Sequence, residues 1–153
     1  PGTLTLTQLR TVVPDLQAGP ANGAPRVPGS DAKHYAPGTS LSIVASRTLE
    51  EVVGQLTENR ERIAVLAMRP PRVANKYLTW INAGRRADVY GRELYVNLRT
   101  LDKSGAREIL VEEVPAGEAW DAVRDRLHRA APAENVAYCD PDIAALRADL
   151  GQD

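Results

Sequence analysis

Cysteine is nearly missing from this chain. With Cys139 alone among 153 residues, no intramolecular disulfide can form and no cysteine-rich metal site can be built. A chain of this size without disulfides is expected in the cytoplasm. Histidine is almost as scarce: only His34 and His128 are present, and their spacing supports no histidine-based metal centre. No apolar run approaches the ~18 residues that a membrane-spanning helix requires, so no membrane partner is expected. Nor is there an excess of charge, since 19 basic and 20 acidic residues leave a formal net charge of −1. The basic residues are interspersed with acidic ones, which argues against direct binding of nucleic acid. The opening "PGTLTLTQLR" lacks the basic-then-apolar order of a signal peptide. It also lacks an initiating Met, which fits removal of Met before Pro1 and fits a segment of something longer equally well.

The short motifs of catalysis are missing too. There is no G-x-x-x-x-G-K-[ST] phosphate loop, no G-x-G-x-x-G after a strand, no H-E-x-x-H and no G-x-S-x-G.

What the chain does have is an alternation of apolar and amphipathic segments. A first short piece, residues 1–16, has Thr5 or Thr7 placed to cap a brief helix carrying Leu9, Val12 and Val13. "LSIVA" (41–45) is a β-branched run of the length of a buried strand. "TLEEVVGQLTENR" sets Leu49, Val52, Val53 and Leu56 at helical spacing, with Thr48 and Glu51 in capping-box positions. "RIAVLAM" (62–68) is continuously apolar, as a strand covered on both faces must be. The prolines of "RPPRV" then exclude regular structure until about Lys76.

"ADVYG" (87–91) is expected to be a short strand, followed by a helix with Leu94, Leu98 and Leu101 on one stripe and Gly105 at its end. "REILVEEV" (107–114) predicts the next strand. "GEAWDAVRDRLHRAA" predicts a helix with Trp120, Val123 and Leu127 on its buried face. Strands alternating with amphipathic helices predict an α/β fold: a Rossmann-like parallel sheet flanked by helices in three layers, preceded by an extended linker.

Several residue types invite a chemical reading. Cys139 beside Asp140 reads as an inert thiol, His128 as a solvated residue on a charged helix, and Trp120 as core. Trp80 could stack on a base. Glu112 and Glu113 close a strand, where α/β sheets open their ligand crevice, yet a solvated strand end is the expectation for both. The segment "PGSDAKHYAPGTS" (28–40) cannot be helix or central strand. As physics alone it is a tether that orders only when something holds it. A sharper reading has Lys33, His34 and Tyr35 dock over a phosphate-bearing ligand on another domain, through charge, hydrogen bonding and an amphipathic cover.

This stretch resembles the interdomain linker of the two-domain threonylcarbamoyl-AMP synthases, with "HYAP" after "PG" as its specific part. "RELYVNLRTLDKSGAREILVEEV" and "DRLHRAA" resemble that family's C-terminal domain, and "PGTLTLTQL" resembles the close of its N-terminal catalytic domain. The resemblance implies residues 1–16 as the end of the catalytic domain or an N-terminal arm, 17–40 as an interdomain linker and lid, 41–131 as a C-terminal α/β accessory domain, and 132–153 as a tail.

It further implies condensation of L-threonine, bicarbonate and ATP into threonylcarbamoyl-AMP with release of pyrophosphate, for tRNA threonylcarbamoyladenosine modification. ATP and Mg²⁺ would be bound by an N-terminal catalytic domain in the same or a separate chain, and Lys33, His34 and Tyr35 would be nucleotide or lid contacts. No catalytic residue is implied in this chain, which by itself is expected to be inactive. Two alternatives stand beside this: a free-standing nucleotide- or amino-acid-binding module, and an accessory domain of a specialised carbamoyl-transfer system.

Overall fold

A computed structural model describes residues 5–15 and 36–131. In chain order the elements are α1 (Leu6–Arg10), β1 (Ser40–Val44), α2 (Leu49–Glu58), β2 (Ile63–Ala67), β3 (Leu78–Asn82), α3 (Ala87–Asp102), β4 (Glu108–Glu112) and α4 (Glu118–Ala130). The four strands form one parallel sheet in the order β1-β4-β2-β3. Parallel strands must be covered on both faces, and the apolar residues divide accordingly. Val44, Ile63, Val65, Ala67 and Leu110 point to the face where Leu49 and Val53 of α2 pack. Leu41, Ile43, Ala64, Leu66, Ile109 and Val111 point to the other, under α3 and α4. The result is the expected three-layer α/β arrangement.

On the second face α3 contributes Tyr90, Leu94, Leu98 and Leu101, and α4 contributes Trp120, Val123, Leu127 and Ala130. Tyr90 and Trp120 meet edge to face, with ring centroids 5.5 Å apart. The two helices approach closely at Gly91, where an added Cβ would lie 3.3 Å from Val123 Cγ2.

Several local expectations need correction. "ADVYG" is the opening of α3 rather than a strand: Ala87, Tyr90, Gly91 and Leu94 continue one helical stripe into Leu98 and Leu101. The strand in that region lies earlier, at Leu78–Asn82, on the sheet edge, where partial exposure leaves a weak apolar signal. Thr48 forms no capping box: it has helical φ/ψ, and its hydroxyl donates to Ala45 O instead of accepting from the first turn. Thr5, by contrast, forms a full capping box with Gln8. The helix it starts ends at Arg10, so Val12 and Val13 lie beyond it, exposed.

Candidate functional site

The sheet order places a crevice at one point. From β1 the chain passes to α2 on one face, whereas from the adjacent β4 it passes to α4 on the opposite face. Where neighbouring strands send their connections to opposite sides, the carboxyl ends of the strands are left uncovered. A cleft of about 600 Å³ opens there, lined chiefly by Ser46 and Arg47 after β1, Arg69 after β2, Arg85 after β3, and Glu112 and Glu113 of the β4 end.

Glu112 corrects the sequence reading, because only Glu113 of the acidic pair is solvated. Glu112 is 2% exposed. One carboxylate oxygen accepts the Met68 N–H at 2.7 Å, and the other accepts the Ser46 hydroxyl at 2.8 Å with Arg69 Nε at 3.5 Å. Burying a carboxylate is costly unless donors surround it. Here those donors come from the ends of β1 and β2, so Glu112 ties three strand ends together. Arg69 is held from its other side by Glu50 of α2 at 2.5 Å. The alternation of β4 made one carboxylate face inward, but its partners lie 44 and 66 residues away and left no local signal.

The rest of the cleft wall is also fixed. Glu113 N–H donates to Val44 O, and Arg124 donates to Pro115 O at 2.5 Å. Gly117, at φ +127°, turns the chain into α4. Behind the wall Tyr90 is wholly buried, and its hydroxyl has no hydrogen-bond partner among the described residues. Burial, followed by the charge of Glu112, pushes this phenol above its ordinary range.

Lys33, His34 and Tyr35 lie outside the described residues, as do Cys139 and the tail after Ala131. The segments that flank residues 16–35 are described, and each is held by one carboxylate. Glu118, in the first turn of α4, accepts Thr7 N–H at 2.8 Å and the Thr7 hydroxyl at 2.9 Å. Those hydrogen bonds, backbone first, hold its carboxyl below the usual range. Asp102, ending α3, accepts the backbone N–H groups of Thr39 at 2.8 Å and Gly38 at 3.2 Å. Its carboxyl is likewise held low, mainly by Thr39.

α4 begins at the carboxyl edge of the sheet and α3 ends at the amino edge, so the segments on either side of residues 16–35 are fixed to opposite edges. Neither acid stood out in the sequence, because each acts on backbone groups more than 60 residues away.

Of the other singled-out residues, His128 is exposed, Trp120 is core, and Trp80 is half-buried with its indole N–H donating to Arg69 O at 2.7 Å. Among the described residues no cluster of His, Cys, Asp and Glu could hold a metal ion, and no helix is long and apolar enough to cross a membrane.

Comparison with known proteins fits this layout. Residues 4–132 match the family model described as threonylcarbamoyl-AMP synthase, C-terminal domain. The chain is 25% identical over 141 residues to the threonylcarbamoyl-AMP synthase of Pyrococcus abyssi (strain GE5 / Orsay), covering 85% of this chain and 40% of that protein. Among solved structures it is similar to P. abyssi Sua5 complexed with L-threonine, with TM-score 0.65 and 26% identity, over 86% of this chain and 41% of that one. A second P. abyssi Sua5 structure, with an adjacent histidine and tyrosine changed to alanine, shares the fold at TM-score 0.53 and 23% identity, over 62% of this chain and 28% of that one. The chain therefore spans well under half the length of the curated relative.

Proposed function

Because the chain belongs to the family of threonylcarbamoyl-AMP synthase C-terminal domains, we propose that it works as the lid-bearing accessory part of an enzyme that makes threonylcarbamoyl-AMP for tRNA modification in the cytoplasm. The observation that carries this reading is the family match over residues 4–132, which takes in the docked arm, the linker and the whole sheet domain.

In the proposed reaction the amine of L-threonine bonds to the carbon of bicarbonate, water leaves, and a carbamate results. A carbamate oxygen attacks the α-phosphorus of ATP, and pyrophosphate leaves. ATP and Mg²⁺ belong to the N-terminal catalytic domain in this reading, and no step is assigned to a metal held by the described residues. The product is a mixed anhydride that water would destroy, so the enzyme must cover its cleft during turnover.

Residues 17–40 are the proposed cover. Lys33 supplies charge toward the nucleotide, His34 a hydrogen bond and Tyr35 an amphipathic wall. Glu118 and Asp102 support this role by fixing the segments on either side, so that a lid movement is confined to the residues between them.

The test is substitution of His34 and Tyr35 by alanine in the polypeptide that carries both domains. L-threonine- and bicarbonate-dependent pyrophosphate release should fall by at least about tenfold, as expected when closure over a labile intermediate is lost. Unchanged release would remove the lid role.

A further inference from the structure

We propose that the carboxyl-edge cleft binds a free α-amino acid, with its carboxylate on Arg85 and its ammonium group on Glu113. Arg47, Arg69 and Arg85 line the cleft against Glu112, Glu113 and, behind Arg69, Glu50, so the site carries no net charge. That balance gives no attraction for a polyanion and suits a ligand that is itself neutral overall. Most of these groups are already engaged. Arg69 pairs with Glu50 and Glu112, Glu112 also accepts the Met68 N–H and the Ser46 hydroxyl, and Arg47 has an interaction of its own. Arg85 and Glu113 are exposed, and neither side chain has a hydrogen-bond or ion-pair partner among the described residues. One free cation and one free anion therefore face the same opening.

The two do not pair with each other, because separate loops with fixed backbones carry them. Ala83 N–H donates to Ala67 O at 2.8 Å and Gly84 N–H to Asn82 Oδ1 at 3.0 Å, which sets the turn before Arg85. Glu113 N–H donates to Val44 O at 2.8 Å, and Arg124 holds Pro115 O just beyond it. A guanidinium fork and a carboxylate kept apart across a cleft are matched by a carboxylate and an ammonium on one small molecule, each making charge-assisted hydrogen bonds. Glu112 already ties the strand ends, so little ordering is required when the ligand enters. The volume of about 600 Å³ lies within the range of small-molecule sites. Val114, Pro115 and Ala116 give part of the wall an apolar surface for the amino acid's side chain. The site depends neither on the linker nor on formation of threonylcarbamoyl-AMP.

The experiment is titration of the 153-residue chain with L-leucine at low ionic strength, followed through backbone amide shifts. It is repeated with glycine, which lacks the side chain, with isocaproate, which lacks the ammonium group, and with isoamylamine, which lacks the carboxylate. Saturable shifts clustered at Arg85, Glu113 and Ala116 are expected with L-leucine, and each comparison ligand should bind at least about tenfold more weakly. Arg85→Ala and Glu113→Gln should each weaken L-leucine about tenfold. Arg86→Ala should leave binding unchanged, because Arg86 is already paired with Asp88. Both informative variants are at exposed positions, so folding is retained and is checked by circular dichroism. Absence of saturable L-leucine binding, equal binding of any comparison ligand, or binding insensitive to both variants would each overturn the proposal.

Discussion

At the scale of single residues, two buried polar groups behave in opposite ways. Glu112 is buried because its oxygens are supplied with donors from two other strand ends, and removing it strands those donors. Glu112→Ala should destabilise the fold by about 3 kcal/mol, read as a lower urea midpoint at unchanged m-value. A loss below about 0.5 kcal/mol would mean the carboxylate does not tie the strands. Tyr90 is the converse, a hydroxyl buried without a partner.

Tyr90→Phe removes a desolvated polar atom while keeping the ring against Trp120, so stability at neutral pH should stay within about 1 kcal/mol of the parent or rise. The phenol is raised above its usual value of 10.0 in the fold. Its contribution is therefore complete below pH 10 and declines as the pH climbs past it, because the unfolded chain ionises first. Alkaline unfolding of Tyr90→Phe should begin at higher pH than that of the parent. Equal onsets would show that Tyr90 does not govern it.

At the scale of elements, how legible the sequence was depended on how far away each partner lay. Periodicity located β2 and α4 to within a residue or two, because their apolar patterns are set by local geometry. The first two turns of α3 were misread, since "ADVYG" is short, β-branched at its centre and closed by glycine. Only its continuation into Leu94 and Leu98 reveals the helical stripe. The anchors at Glu118 and Asp102 were invisible for the other reason, being side chains that serve distant backbone.

Both carboxyls are lowered in the fold, so their stabilisation is present above their ordinary values of 4.5 and 3.8 and is lost as the pH falls through the lowered ones. Amide resonances of Thr7, Gly38 and Thr39 should follow that acid transition. Asp102→Asn should raise exchange at Gly38 and Thr39 while changing global stability by less than about 1 kcal/mol. Unchanged exchange would show that Asp102 does not hold the return of the chain into β1.

At the scale of the whole molecule, the sheet domain explains itself as a covered three-layer α/β unit, but the arm and linker do not. Val12 is 80% exposed and Val13 51% exposed beside an arm that is nonetheless docked through Thr7, an arrangement suited to a continuation of the protein lying against it. The parallel architecture was readable from the alternation of segments. The cleft was not, because it arises from the order β1-β4-β2-β3, which no local pattern encodes.

Function was legible only through the "HYAP" linker and the helix-strand-helix stretch it precedes, since no catalytic motif is present. The family match over residues 4–132 agrees with that resemblance.

The most direct test is to recover the protein from its native cells with an antibody to the sheet domain, and to determine its mass and its L-threonine- and bicarbonate-dependent release of pyrophosphate from ATP. The account predicts activity in the recovered material, carried by a species about twice the length of this chain, given that 85% of the chain covers 40% of the relative, or by a co-purifying catalytic chain. A lone species of 16.6 kDa without that activity would contradict it.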